Sequence, residues 1–422
     1  MNNFKTNEEI VIWGCGQRGK EFIEKYGDSV EIKYCIDSKV DLINQNENYF
    51  LGYHVFNPQI LDDKHDKIVI TVDKWKIIAE ELISRGYKMF EDFFPYTYFI
   101  KDNKIPALDM GFLEFINSDL EKERIINNFA DGRLICVTYG LCHMRIYKKI
   151  LLDNEEFTNK YMLLDLPPIN GFDDKNYSSL KEEIVWRSCD ILLCGILSKS
   201  LTIQGDFPSV SELQRLVKNK CRIINISGAA FKGFFPQHAE NRTLKEDANG
   251  ISIKKYFAWG DKNINKLYLS GKNAEEIKEI ILSNDFYDRD KCIRFFQNEL
   301  ALLQKTEINC DVKIADYIEK IAQKQITHYS FTHPVPEVML ELARRLLLVF
   351  GIDANLEKYK SENFLKMDAN EEIIYPSVLK ALGLYNKQNI ERQVKPGHIL
   401  FSGKKLSSEE YIEKYIEYVC KS

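Results

Sequence analysis

RLICVTYGLCHMR, residues 133–145, is the stretch on which the reading of this chain turns. Four apolar residues, Leu134, Ile135, Cys136 and Val137, run toward Gly140, and a helical pattern starts at Met144 and continues to Leu152. An apolar run, a glycine and an amphipathic stretch in that order read as a buried strand, a tight turn and a helix N-terminus. The turn holds Cys142 and His143 side by side. In open α/β sheets, ligands sit in the crevice at such strand ends. A thiol at a helix N-terminus is acidified by unpaired backbone N–H groups and the helix dipole. Cys142 reads either as a reactive thiol or as a residue packed under the helix.

Working outward, further strands are expected at 161–166, 190–197 and 221–227, with helices between them, notably 209–217. Strands alternating with helices imply a largely parallel sheet. The run DILLCGIL at 190–197 is almost wholly apolar, as a strand buried on both faces should be. After residue 272 the pattern turns helical, with segments at 274–282, 288–306, 314–323, 336–350 and 408–420.

The N-terminal part carries a second α/β pattern. Ile10 to Trp13 form a strand, GCGQRG supplies Gly14, Gly16 and Gly19, a helix covers 20–26, and a strand over 31–36 ends at Asp37. Strand, glycine turn, helix, strand and acid follow the order and spacing of a dinucleotide-binding fold. The glycines and Asp37 are candidate nucleotide-binding residues on that reading. The continuation resembles the small Rossmann-like modules of bacterial sugar-modifying enzymes, through Ile36, Asp37, Ser38, Gly52, Val55 and Pro58. Such modules hold a nucleotide-sugar, a nucleotide or nothing. Next come a strand at 67–72 and a helix at 75–85. The aromatic stretch EDFFPYTYFI (91–100) is expected to pack on this first unit, and a charged helical pattern links onward. The division expected is 1–104 for a Rossmann-like domain, 105–131 for a linker helix and 132–422 for a larger domain. The fold class is α/β: an N-terminal Rossmann-like domain, then a larger α/β domain with a parallel sheet and a helical C-terminal part.

At 422 residues the chain exceeds one ordinary core, which agrees with two units. A formal charge of −5 argues against a nucleic-acid partner, which would call for a basic field. The ten cysteines include no CxxC pair, so reduced thiols in a cytoplasm are expected. The seven histidines show no HxH or HExxH spacing, so no metal site is expected. The polar N-terminus and the lack of a long apolar run leave only peripheral membrane contact.

Four loops hold unusual residues: 139–143, 205–208 (Gly205, Asp206, Phe207, Pro208), 226–238 and 327–339. Loops held on a rigid scaffold are where function concentrates. Together they resemble the WcbI-type capsular polysaccharide biosynthesis enzymes. The Tyr139-Gly140-Leu141-Cys142-His143 turn is similar to that family's GNCQ segment. The likeness continues through Phe234, Phe235 and Pro236, through Thr332, His333 and Pro334, and through residues 374–378 (IYPSV). It spans roughly residues 132–385. Leu141 and His143 depart from it, standing where the family has Asn and Gln.

The resemblance implies coenzyme A or acetyl-coenzyme A binding and acyl, above all acetyl, transfer to a polysaccharide or a sugar precursor. Such a transfer needs a base for the hydroxyl, donors for the oxyanion and cations for the phosphates. His333 is the first choice as base and His143 the second, because imidazole titrates near neutrality. Backbone N–H groups at the Cys142 turn would face the oxyanion, since Leu141 cannot. Cys142 either accepts the acyl group or lines the thioester site. Arg145, Lys148 and Lys149 are the candidates for the phosphates, with Tyr139, Gly140 and Phe235 lining the site. The same order of parts looks distantly like SGNH-type esterases, with Cys142 in place of serine and Ser330 and Phe331 where the aspartate would stand. A hydrolase, or a non-enzymatic nucleotide-sugar-binding scaffold of capsule assembly, are the alternatives.

Overall fold

In a computed structural model, the structure describes residues 9–40, 48–63, 66–72, 74–98, 105–116, 118–166, 183–195, 210–241, 246, 252–253, 257–360, 372–392 and 406–420. Among them are two larger sheets. The first contains β1 (Glu9–Trp13), β2 (Glu31–Ile36), β3 (Tyr49–Phe50), β4 (Tyr53–Phe56), β5 (Ile68–Ile70) and β6 (Phe93–Pro95). Their order is β3-β4-β2-β1-β5-β6, parallel except for the β3–β4 hairpin. This is the Rossmann strand order with a hairpin added at one edge. Helices α1 (Gln17–Tyr26) and α2 (Trp75–Ser84) follow β1 and β5. The aromatic run after residue 90 joins this sheet as β6, all three residues buried.

The second sheet contains β7 (Ala107–Asp109), β8 (Leu134–Tyr139), β9 (Tyr161–Asp165), β10 (Ile191–Gly195) and β11 (Arg222–Ile226). The order is β11-β10-β8-β9-β7, and every pair is parallel. All five residues of β10 are buried, as its apolar run requires. The chain passes from β8 to β9 on one side and then crosses to β10 on the other. The crevice at the carboxyl ends of β8 and β10 is therefore a topological switch point, where α/β sheets hold ligands.

The stretch 105–131 supplies the expected helix, α3 (Asp119–Ala130), and also β7, the edge strand of the second sheet. Arg133 then fastens α3 to β8. Its buried guanidinium donates to the Phe129 and Ala130 carbonyls at the helix end. One apolar cluster spans both sheets, from Val11 and Trp13 through Phe90 and Phe129 to Ile135 and Trp186. Phe90 meets Phe129 edge-on at 4.9 Å and Phe94 at 5.9 Å. The seam between the sheets is thus ordinary core. Phe129→Ala is expected to cost about 3–5 kcal/mol and to lower a single urea transition. Two resolved transitions would show that the sheets unfold independently.

The opposite face of the second sheet carries α4 (Met144–Leu152) and shares a larger cluster with the C-terminal helices. These run over Lys262–Leu269, Ala274–Ile281, Arg289–Thr306, Ala315–Ile321, Pro336–Val349, Pro376–Ala381 and Ser408–Tyr415, the last continued by a π turn, Ile416–Cys420. Two small ribbons lie among them: β12 (His238–Glu240) with β13 (Trp259–Asp261), and β14 (His328–Ser330) with β15 (His333–Pro334). Buried Asp261 caps Lys262–Leu269 and accepts the Tyr375 hydroxyl at 2.7 Å. Among the described residues no helix is long and apolar enough to cross a membrane.

Candidate active site

The buried strand β8 delivers the chain to Gly140 at the switch point. A Cβ there would stand 2.9 Å from Met144 Cγ and 3.3 Å from the Gly195 Cα, so only glycine lets β8, β10 and α4 close this tightly. The backbone then coils at once, with Met144 N–H donating to Leu141 and Arg145 N–H to Cys142. This places the Cys142 thiol, half-buried, at the start of α4.

Facing it is His333, 191 residues away in sequence, whose Nε2 lies 3.8 Å from Cys142 Sγ. The β14–β15 hairpin sets the ring. Ser330 pairs with His333 in the ladder, and its Oγ lies 2.8 Å from Nδ1, with Thr332 Oγ1 at 3.4 Å. With Nδ1–H donating to Ser330, the Nε2 lone pair faces the thiol. Thiol, imidazole and hydroxyl form a line in which each group orients the next. Burial pushes His333 down to about 4, and the neighbouring His143 and His328 push the same way. Its imidazole is therefore neutral at physiological pH and able to take a proton.

His143 is also buried, and burial alone lowers it to about 4. Among the described residues its Nε2 has no hydrogen-bond partner, and it packs against Gly195, where a Cβ would come within 3.0 Å. Its ring meets Tyr147 at 5.7 Å, and the Tyr147 hydroxyl and Thr138 Oγ1 are likewise buried and unpaired. Three orphan polar atoms lie in the layer between the end of β8 and α4.

His328 braces the hairpin. Its Nε2–H donates to the Ala229 carbonyl at 2.7 Å, and Nδ1 lies 2.8 Å from Thr327 Oγ1. Burial holds it down at about 4. Ala229 has φ +47°, an uncommon conformation for alanine, held by this bond and by its own N–H to Ser227 Oγ. Phe231 N–H reaches the Phe331 carbonyl at 2.7 Å. The loop after β11 is thus tied to the hairpin that carries His333.

The other expected site residues are placed as follows. Arg145 is exposed on the first turn of α4. Lys148 is buried and committed elsewhere, to Asp165 at the end of β9 and to the Leu166 carbonyl. Its ammonium is already partnered, while the Asp165 side chain stays 42% exposed. Lys149 is exposed and pairs with Asp153 at 2.6 Å. Tyr139 faces the core opposite α4, edge-on to Trp186 at 6.0 Å, and does not line the crevice. Phe235 is wholly buried beside Phe234 in the α4-side core, a packing residue. The loop 205–208 lies outside the described residues.

Gly14, Gly16, Gly19 and Asp37 belong to the first sheet's own turn. A Cβ on Gly19 would lie 2.2 Å from the Gly14 carbonyl oxygen and one on Gly14 2.5 Å from Val72 Cγ1, so these two serve close packing, while Gly16 has open space beside it. The Asp37 carboxylate accepts the Cys15 N–H at 3.2 Å and the Lys39 N–H at 2.9 Å. It clasps the turn in the place where a ribose-binding acid would be free. All ten cysteines are free thiols, and among the described residues no group of three or more His, Cys, Asp or Glu could hold a metal.

Of the two orienting residues, the sequence marks Ser330 only as standing where a hydrolase keeps its acid, three residues ahead of His333, and gives His328 no role.

Lys148→Met is expected to lower stability by about 1–3 kcal/mol, because it removes a charged donor from the buried Leu166 carbonyl and from a half-exposed Asp165. The same change should leave ligand affinity unaltered if Lys148 holds no phosphate. Urea denaturation and calorimetry on one variant read both.

A family model described as polysaccharide biosynthesis enzyme WcbI matches residues 135–355. A solved structure of WcbI, described as a novel polysaccharide biosynthesis enzyme in its native form without a disulfide bond between coenzyme A and a cysteine, shares the fold with a TM-score of 0.52. That match has 17% identity and covers 69% of this chain and 91% of the other. Among curated proteins nothing matches. The strand, turn, cysteine and late histidine all lie inside the matched span, and the chain belongs to the WcbI family of polysaccharide biosynthesis enzymes.

Proposed function

We propose that the chain transfers an acyl group, in the first instance acetyl, from coenzyme A to a sugar hydroxyl during surface polysaccharide synthesis. The observation that carries this is the line from Cys142 Sγ through His333 to Ser330 at the switch-point crevice. Coenzyme A supplies an acyl group already activated as a thioester. Cys142 lines the place for its sulfur, and the solved WcbI described by reference to a disulfide between coenzyme A and a cysteine supports that placement. A neutral His333 takes the proton of the attacking hydroxyl at Nε2 and returns it to the departing sulfur. Ser330 holds the ring so that this lone pair points into the crevice. Backbone N–H groups at the Cys142 turn, backed by the dipole of α4, face the negative charge that grows on the carbonyl oxygen. Arg145 is the cation left for the phosphates, since Lys148 and Lys149 are paired.

Calorimetric titration with coenzyme A tests the reading. Micromolar binding is expected, weakened about tenfold by Arg145→Ala, the loss of one charge-assisted contact. Lys149→Ala should bind as the parent does. Exposure to the symmetrical disulfide of coenzyme A should modify Cys142, seen as a mass adduct absent from Cys142→Ser. No binding and no adduct would sink the proposal.

A further inference from the structure

His238 ends the loop after β11 and takes no part in the mechanism above. Its Nδ1 lies 2.6 Å from Glu372 Oε1, while the other oxygen of Glu372 accepts the Phe331 N–H at 3.1 Å. The imidazole sits against Phe331, at 4.3 Å, and Trp259, at 5.3 Å. A carboxylate on Nδ1 fixes both the tautomer and the direction of the ring. Nε2 is left with no hydrogen-bond partner among the described residues, and the His238 side chain is 9% exposed. Beside it, Lys232 stands over the Phe331 ring at 4.8 Å. Trp259 Nε1 and Gln237 Oε1 are buried with no partner among the described residues.

A purely structural clasp would need Glu372 and an imidazole donor, and nothing more. Here an aimed acceptor nitrogen, an indole N–H and an amide oxygen are all unspent, next to an aromatic wall. Unspent donors and acceptors beside aromatic carbon match a ring rich in hydroxyl groups, whose apolar face and polar edge must both be met. We propose that His238, Trp259 and Gln237 form the carbohydrate acceptor subsite, with His238 Nε2 accepting a hydrogen bond from a sugar hydroxyl. The choice of a carbohydrate rests on the acyl-transfer reading. The location serves that reaction. Phe331 touches His238, and His333 follows two residues later, a span of at most about 7 Å of backbone. An acceptor held at His238 would therefore lie against the hairpin that carries His333.

Saturation-transfer NMR of the full chain with free glucose, galactose, mannose and N-acetylglucosamine tests this, alongside coenzyme A calorimetry on the same samples. His238→Asn keeps a donor for Glu372 and removes Nε2. Trp259→Phe keeps an aromatic ring and removes the N–H. Transfer to at least one sugar is expected with the parent protein and should fall about tenfold in His238→Asn, the loss of one well-made hydrogen bond. The melting temperature and coenzyme A affinity of that variant should stay as in the parent. Undiminished transfer in folded His238→Asn, or none to any sugar in the parent, would overturn the subsite. Sugar binding lost in His238→Asn without any coenzyme A binding would keep the subsite and remove the acyl-transfer reading. Coenzyme A binding without sugar binding would do the reverse.

Discussion

His333→Ala is expected to slow acyl transfer by about 10²–10⁴-fold, the range for losing a positioned general base. The thiol stays in place, so coenzyme A affinity should change little and the defect should fall on kcat. Removing a buried ring leaves a cavity, so His333→Gln, which refills much of it without a comparable base, is the paired variant. Both should be equally slow if proton transfer is what was lost. Ser330→Ala keeps the imidazole but frees Nδ1, and a milder loss of about tenfold is expected from misorientation. His143→Gln gives the discriminating control. Its Nε2 is packed on Gly195, so turnover should survive this change to the residue that the family's GNCQ segment carries. If His143→Gln were as slow as His333→Ala, the roles of the two histidines would have to be exchanged.

The second large effect is acid instability. His143, His328 and His333 are each held at about 4 by burial, against an ordinary 6.5. Below 6.5 the unfolded chain takes up three protons that the folded chain refuses, so stability falls as the pH drops and stops falling on this account near 4. Asp261 acts in the opposite sense. Burial raises it from 3.8 to about 6, so over most of the same window the folded chain holds one proton the unfolded chain lacks. The net is about two protons, or roughly 3 kcal/mol per pH unit near pH 5. Set against a total stability of about 5–15 kcal/mol, this unfolds the protein in mild acid. Urea midpoints taken across the window should fall steeply, and His328→Gln should flatten the slope by about half, from two net protons to one. Midpoints that stay level between pH 6.5 and 5 would mean that these rings are hydrated, contrary to their burial.

The elements were legible in the sequence because their causes are local. The apolar run 190–197 and the glycine at 140 specify strand and turn through contacts a few residues long, and the structure differs only by a residue or two at the ends described. The glycine turn at 14–19 likewise announced the Rossmann-like sheet. The shortest pieces left no period to read: β7 has three residues, and its place at the edge of the second sheet depends on β9. The chemistry was legible as residue types, in Cys142 and His333, but not as roles. Whether Lys148 meets a phosphate or Asp165, and whether Asp37 meets a ribose or the Cys15 N–H, is decided by groups that folding brings together. The same holds for Ser330, ordinary in sequence until the hairpin turns it onto His333. Sequence determined the strands, the turns and the reactive side chains. Tertiary structure alone decided their partners, because a buried polar group is defined by what satisfies it, and those partners lie far along the chain.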